Sequence, residues 1–135
     1  MLDVLTALGH DALDLGAEDD SAPVDYPDKA LEVGEAIRSG EAERGVLVCG
    51  SCVGASVAAN KLAGIRAAVC HDVYSAHQGV EHDDMNVLCL GSDVIGPELA
   101  GDLVRTFMVA TFDRSERYVR RLEKVEAMER TAAHG

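Results

Sequence analysis

Basic side chains are scarce in this chain. Twelve Lys and Arg stand against 24 Asp and Glu, a net charge of −12 over 135 residues. That balance argues against general nucleic-acid binding, which relies on a basic surface. An apolar run of membrane-spanning length is lacking, as is an N-terminal secretory pattern, so the chain is expected to be soluble and cytoplasmic with no membrane partner. Cysteine is limited to Cys49, Cys52, Cys70 and Cys89, and in a cytosolic protein no disulfide framework is expected from them. Cys70 and Cys89 end or interrupt apolar runs and read as reduced core residues. What is plentiful is hydrophobic residues, at 47%, enough to make disorder an unlikely state for a chain sized for one domain, residues 1–135.

Periodicity alternates between helix and strand. Residues 1–8 read as the end of an amphipathic helix closed by Gly9, and residues 10–15 (HDALDL) alternate like a strand. An acidic loop with Pro23 follows over residues 18–24, then a helix over 29–39 with Asp28 as N-cap. The apolar runs 45–48, 65–70 and 86–90 read as buried parallel strands, and the stretches 51–62, 73–80 and 97–112 as the helices after them. A charged helix over 114–130 carries Tyr118, Leu122 and Val125 on its stripe, and 131–135 is expected to fray. Alternation of this kind predicts a parallel α/β sheet with helices on both faces and ligands at the carboxyl ends of the strands. Cys49, His71-Asp72 and Gly91 all follow strands. A doubly wound domain normally opens with a strand, whereas this chain opens on a helix.

Chemistry concentrates in Cys49-Gly50-Ser51-Cys52-Val53-Gly54. A strand feeding a glycine-containing turn and a helix start aims backbone N–H groups at an anion, and the helix dipole there favours thiolate. The C-x-x-C spacing leaves four readings open. Zinc would need a second ligand pair, which only Cys70-His71 or His82 offers. A redox pair usually has an aromatic before it and a proline inside, and this one has neither. The other two readings are a structural thiol and a catalytic Cys49 acting as base or nucleophile beside an anion hole.

Two further groups stand out. Residues 81–86 (EHDDMN) precede a strand, so within one subunit His82 is expected far from Cys49. The bland reading is a solvated turn, and the functional one needs a dimer that brings this edge to the partner's strand exits. Arg114, Arg117, Arg120, Arg121 and Lys124 form a basic cluster on an acidic protein. Arg117 and Arg121, four apart, share a helix face suited to phosphate; Glu116, Glu123 and Glu126 offer the plainer account of a paired charged surface.

Taken in order, Asp25-Tyr26-Pro27, Cys49-Gly50-Ser51 with Val53-Gly54, Ala58-Ala59-Asn60-Lys61, Gly64-Ile65-Arg66-Ala67, Tyr74-Ser75-Ala76, the run from His82 through Asn86-Val87-Leu88, Gly91, and Arg117 to Arg121 resemble the type B ribose-5-phosphate isomerases and galactose-6-phosphate isomerase subunits. The resemblance spans about residues 1–130 and implies a Rossmann-like three-layer αβα sandwich. It implies a homodimer, or a tetramer, with active sites between subunits, and a C-terminal helix (114–130) reaching to the partner. The implied reaction is aldose–ketose isomerisation of a phosphorylated sugar through a cis-enediol. Cys49 would be the base. Ser51 and the N–H groups from Gly50 through Val53 to Gly54 would hold the enediolate oxygens, and the partner subunit's His82 would assist ring opening. Asp83 and Asn86 would line the substrate, and Arg117 and Arg121 would bind its phosphate. No metal or organic cofactor is implied.

Departures from that family pattern are also implied. The family opens with a central strand ending in Asp-His, absent here, for which a late-placed start codon or a shortened chain is the simplest account. Asp83 stands where Asn is frequent, Asp93 where Arg is common, Tyr118 for a frequent His, and Cys52 for a usual Gly. These point away from plain ribose 5-phosphate towards a tetrose, hexose or other related phosphate. The alternative expectation is a non-catalytic or hetero-oligomeric paralogue that binds sugar phosphate.

Overall fold

Three short apolar runs build a parallel sheet in the computed structural model of the chain, which describes residues 2–16 and 24–134. They are β1 (Gly45–Cys49), β2 (Ala67–Val69) and β3 (Val87–Gly91), in the spatial order β1-β3-β2. Gly45 pairs with Val87 and Cys49 with Gly91 on one side of β3, and Ala67 with Val87 on the other. β3 is buried throughout, so it has no polar alternation. Its side chains feed two cores. Leu88 and Leu90 meet Val80, Leu103, Val104 and Phe107, whereas Val87 and Cys89 meet Ala30, Ala55 and Ala59.

Helices complete the layers. α2 (Tyr26–Arg38) and α3 (Val53–Ala59) cover one face, and α4 (Val73–Asp83), α5 (Pro97–Val109) and α1 (Leu2–Ala7) the other. This is the expected αβα sandwich. Arg44, just before β1, sends its guanidinium to the carbonyls of Phe107 (2.6 Å) and Ala110 (2.7 Å), satisfying the open C-terminal end of α5. Asp72 caps α4 by accepting the Ser75 N–H at 2.7 Å, which holds its carboxyl below the usual range.

Several boundaries differ from the sequence expectation. α2 starts at Tyr26 with Asp25, not Asp28, at the N-cap, because Pro27 is tolerated in a first turn. α3 begins only after Cys52 and ends at Asn60, whose amide bonds both the N–H (2.7 Å) and the C=O (2.8 Å) of Ala67 at the start of β2. α4 runs on to Asp83, so His82 sits in a helical last turn rather than a solvated loop. The last helix, α6 (Glu116–His134), continues through most of the stretch expected to fray. It rests on its own chain through Tyr118 against His82 and through the Glu129 carboxylate, which accepts the Gly64 N–H at 3.2 Å.

Residues 10–16 are not a strand, and residues 18–23 of the expected acidic loop lie outside the described residues. Among the described residues, 10–16 have no ladder partner. A cavity of about 780 Å³ separates residues 10–16 from the outer edge of β1, lined by Leu5, Leu13, Leu15, Val46, Val48 and Met108 among others. An extended segment with no ladder partner has no reason to hold strand geometry. Val48, 51% exposed, looks into that space.

Candidate active site

Cys49 ends β1 level with the end of β3, and the turn after it is tied down by its carbonyls. The Ser92 N–H donates to Cys49 O at 2.9 Å and the Asp93 N–H to Gly50 O at 3.0 Å. A Cβ on Gly91 would lie 2.9 Å from Ser51 O and 3.0 Å from Gly50 O, so only glycine lets the turn pass this closely. Cys52 takes φ 63° at the N-cap of α3, a left-handed conformation that explains why glycine suits this place.

With the Cys49 and Gly50 carbonyls turned towards β3, the Gly50 and Ser51 N–H groups of the same peptide planes point away from it. Ser51 Oγ accepts the Val53 N–H at 3.3 Å, and Ser56 is the first residue of α3 whose N–H reaches back to a carbonyl, that of Cys52. Gly54 has a different reason to be glycine: a Cβ there would stand 2.6 Å from the Tyr26 ring. Tyr26 and Cys49 both line the cavity beside β1. Sequence reasoning used Tyr26 only as part of a motif, and nothing in its spacing marks it as a neighbour of Cys49. His71, at the exit of β2, accepts the Gly91 N–H on Nε2 at 2.9 Å and braces the end of β3. The Asp93 carboxylate lies beside Gly50, making that end of the turn unfavourable for a phosphate.

The thiols do not divide as expected. A hydrogen bond with Cys89 holds the buried Cys52 thiol down to about 7, while that contact and burial push Cys89 far up. Burial, and then the contact with Cys52, push Cys49 up. Burial thus works against the thiolate that the helix start was expected to favour at Cys49. Cys52 also donates to Leu47 O at 3.3 Å and belongs to the core. Among the described residues no three His, Cys, Asp or Glu side chains are placed to share a metal ion.

At the opposite edge of the sheet a second group assembles. The His82 and Tyr118 rings stack at 4.2 Å with 11° between planes. Arg117 lies over the Tyr118 ring with Cζ 4.6 Å from its centre, and Arg121 at 5.9 Å. Arg117 Nη2 also donates to the Tyr118 hydroxyl at 2.5 Å. The structure thus brings His82, Arg117 and Arg121 together, and separates them from Cys49, Gly50, Ser51, Val53 and Gly54 by the length of the strands. Asp83 is exposed beside His82. Asn86 departs from its expected role: its Oδ1 accepts the Arg66 N–H at 2.7 Å and its Nδ2 donates to Gly64 O at 2.8 Å, so it braces a turn. Tyr118 organises this group, and its buried aromatic position on the helix stripe was the available signal.

A family profile described as ribose/galactose isomerase matches residues 1–125. The ribose-5-phosphate isomerase B of Escherichia coli is 45% identical over 109 residues, which are 81% of this chain and 72% of that protein. A D-erythrulose-4-phosphate isomerase from Pectobacterium atrosepticum is 44% identical over 88 residues, 65% of this chain and 58% of that protein. A solved ribose-5-phosphate isomerase B from Clostridium thermocellum superimposes with a TM-score of 0.92 at 43% identity, covering 97% of this chain and 87% of the other. Strand order, the Cys49 turn and these likenesses agree: the chain belongs to the ribose/galactose isomerase family.

Proposed function

We propose that the chain interconverts an aldose and a ketose phosphate through a cis-enediol, with Cys49 as the base. The observation that carries this is the Cys49 thiol at the end of β1, followed at once by a turn whose Cys49 and Gly50 carbonyls are taken by the Ser92 and Asp93 N–H groups, which leaves the Gly50 and Ser51 N–H groups on the other side. Cys49 Sγ takes the proton from C2 of the open-chain aldose and returns it to C1 on the same face. Negative charge that develops on the sugar oxygens is met by Ser51 and the turn N–H groups, which need no reorganisation when it appears. The proton that leaves O2 is passed to O1 across the cis-enediol, so the C1 carbonyl becomes a hydroxyl, the C2 hydroxyl becomes a carbonyl, and atoms and protons balance without a cofactor.

Ring opening and phosphate binding fall to the second group. His82 is too far from Cys49 of its own chain, so the site is completed by the partner subunit's His82 in a homodimer. Arg117 and Arg121 hold the phosphate by charge-assisted hydrogen bonds. Homologous names include both a pentose and a tetrose phosphate isomerase, and Asp93 beside Gly50 restricts where an anion can sit. A tetrose 4-phosphate is therefore a second candidate substrate beside ribose 5-phosphate.

The deciding experiment follows isomerisation of ribose 5-phosphate, erythrose 4-phosphate and galactose 6-phosphate by wild type, Cys49→Ala and Cys52→Ala. The reading requires turnover of at least one sugar by wild type, lost in Cys49→Ala and kept in Cys52→Ala. Binding of all three with no turnover by wild type would establish the non-catalytic alternative instead.

A further inference from the structure

We propose that Tyr118 is a positioning residue that holds His82 and the Arg117–Arg121 pair as a single anion-facing unit, so that the imidazole and the two guanidiniums meet a sugar phosphate at fixed separation. This rests on the isomerase reading for its kinetic consequences. Its structural content does not.

Charge bookkeeping in this cluster is unusual. The chain carries 24 acidic residues, and Glu116 lies 3.9 Å from Arg120 on the same helix. Yet among the described residues neither Arg117 nor Arg121 makes an ion pair. Their partner is Tyr118, a neutral ring and hydroxyl, 4% exposed. A carboxylate in its place would neutralise the pair. A phenol orients the guanidiniums while leaving their charge for a ligand.

The same ring fixes His82 from the other side. His82 keeps 28% of its side chain exposed and has Glu81 Oε1 3.5 Å from Nε2, while His77 holds the other Glu81 oxygen at 3.2 Å. Asp113, bound to Ser115, faces His82 and Arg117 as well. Without the near-parallel ring at 4.2 Å, these carboxylates would draw the imidazole and Arg117 towards themselves. Leucine would keep an apolar side chain between α4 and α6, at some loss of packing, but could not orient either group.

Two variants separate positioning from packing. Tyr118→Phe keeps the stack and removes the hydroxyl that Arg117 bonds; Tyr118→Leu removes both. The His82 Cε1–H resonance, assigned by its loss in His82→Gln, should be shifted upfield by the ring in wild type and Tyr118→Phe, and should return to the free position in Tyr118→Leu. Inorganic phosphate is the binding probe. Its Kd and the KM for sugar phosphate should both rise roughly fivefold in Tyr118→Phe, with kcat within about twofold of wild type. Tyr118→Leu should add a fall in kcat of at least about tenfold. Unchanged kcat, KM and phosphate affinity in both variants, with only the melting temperature lowered, would overturn the proposal, as would an unshifted His82 resonance in wild type. Absence of turnover in wild type would overturn the isomerase reading alone, because the resonance and phosphate measurements would still decide the role of Tyr118.

Discussion

Cys49 and Cys52 look equivalent in a C-x-x-C and are opposites in the fold. Cys49 ends β1 and is partly exposed, and Cys52 is buried under the turn as its left-handed hinge. Cys49→Ala should lower kcat by about 10²–10⁴, the span typical of losing a positioned general base. Steady-state kinetics on the turned-over sugar would measure it, and a loss smaller than tenfold would count against the assignment. The pH profile carries a second test. The base must be deprotonated, so activity climbs as pH rises through the Cys49 titration. Its raised pKa places that climb on the alkaline side of an ordinary thiol. Cys52→Ala removes one of the contacts that raise it, so the acidic limb should move towards lower pH, part of the way back, because burial persists.

At the scale of elements, the site depends on two chain passages that touch only in the folded state. Gly91→Ala would drive a Cβ into the Ser51 and Gly50 carbonyls. Backbone cannot yield as a flexible side chain does, so the turn must move. The expected result is a stability loss of about 1–3 kcal/mol with a fall in kcat, read by urea titration alongside the assay. Arg44→Ala should cost stability by a similar amount, roughly 1.5–3 kcal/mol, from its charge-assisted bonds to the end of α5, while leaving kcat near wild type. Much of this was legible in sequence. The buried runs of β1 and β3, the turn after Cys49 and the shared face of Arg117 and Arg121 all follow from local pattern. Long-range partners were not legible. Asn86 was placed at the substrate by the family resemblance, but its spacing cannot reveal that Gly64 and Arg66 claim both ends of it. Tyr26 touches Gly54 across a separation that periodicity does not register. The strand expected over residues 10–15 failed for a related reason, since alternation describes a face and says nothing of whether a neighbouring strand is present.

For the whole molecule, the question is whether one catalytic centre draws on two chains. Cys49→Ala and His82→Ala should each be impaired as pure proteins. Mixed one to one, unfolded and refolded together, they should recover about a quarter of wild-type activity, because half the random dimers are mixed and each holds one intact site of two. No recovery beyond the sum of the separate variants would place the whole site within one chain. The open flank of β1 matters at this scale for another reason. Among the described residues β1 is an edge strand with Val48 exposed, and an edge strand is a template on which extended apolar segments of other molecules can grow. Solubility of this chain should therefore fall with concentration before its fold melts, visible as light scattering below the melting temperature. A single charge on that flank, Val48→Lys, should act as a gatekeeper and suppress the scattering.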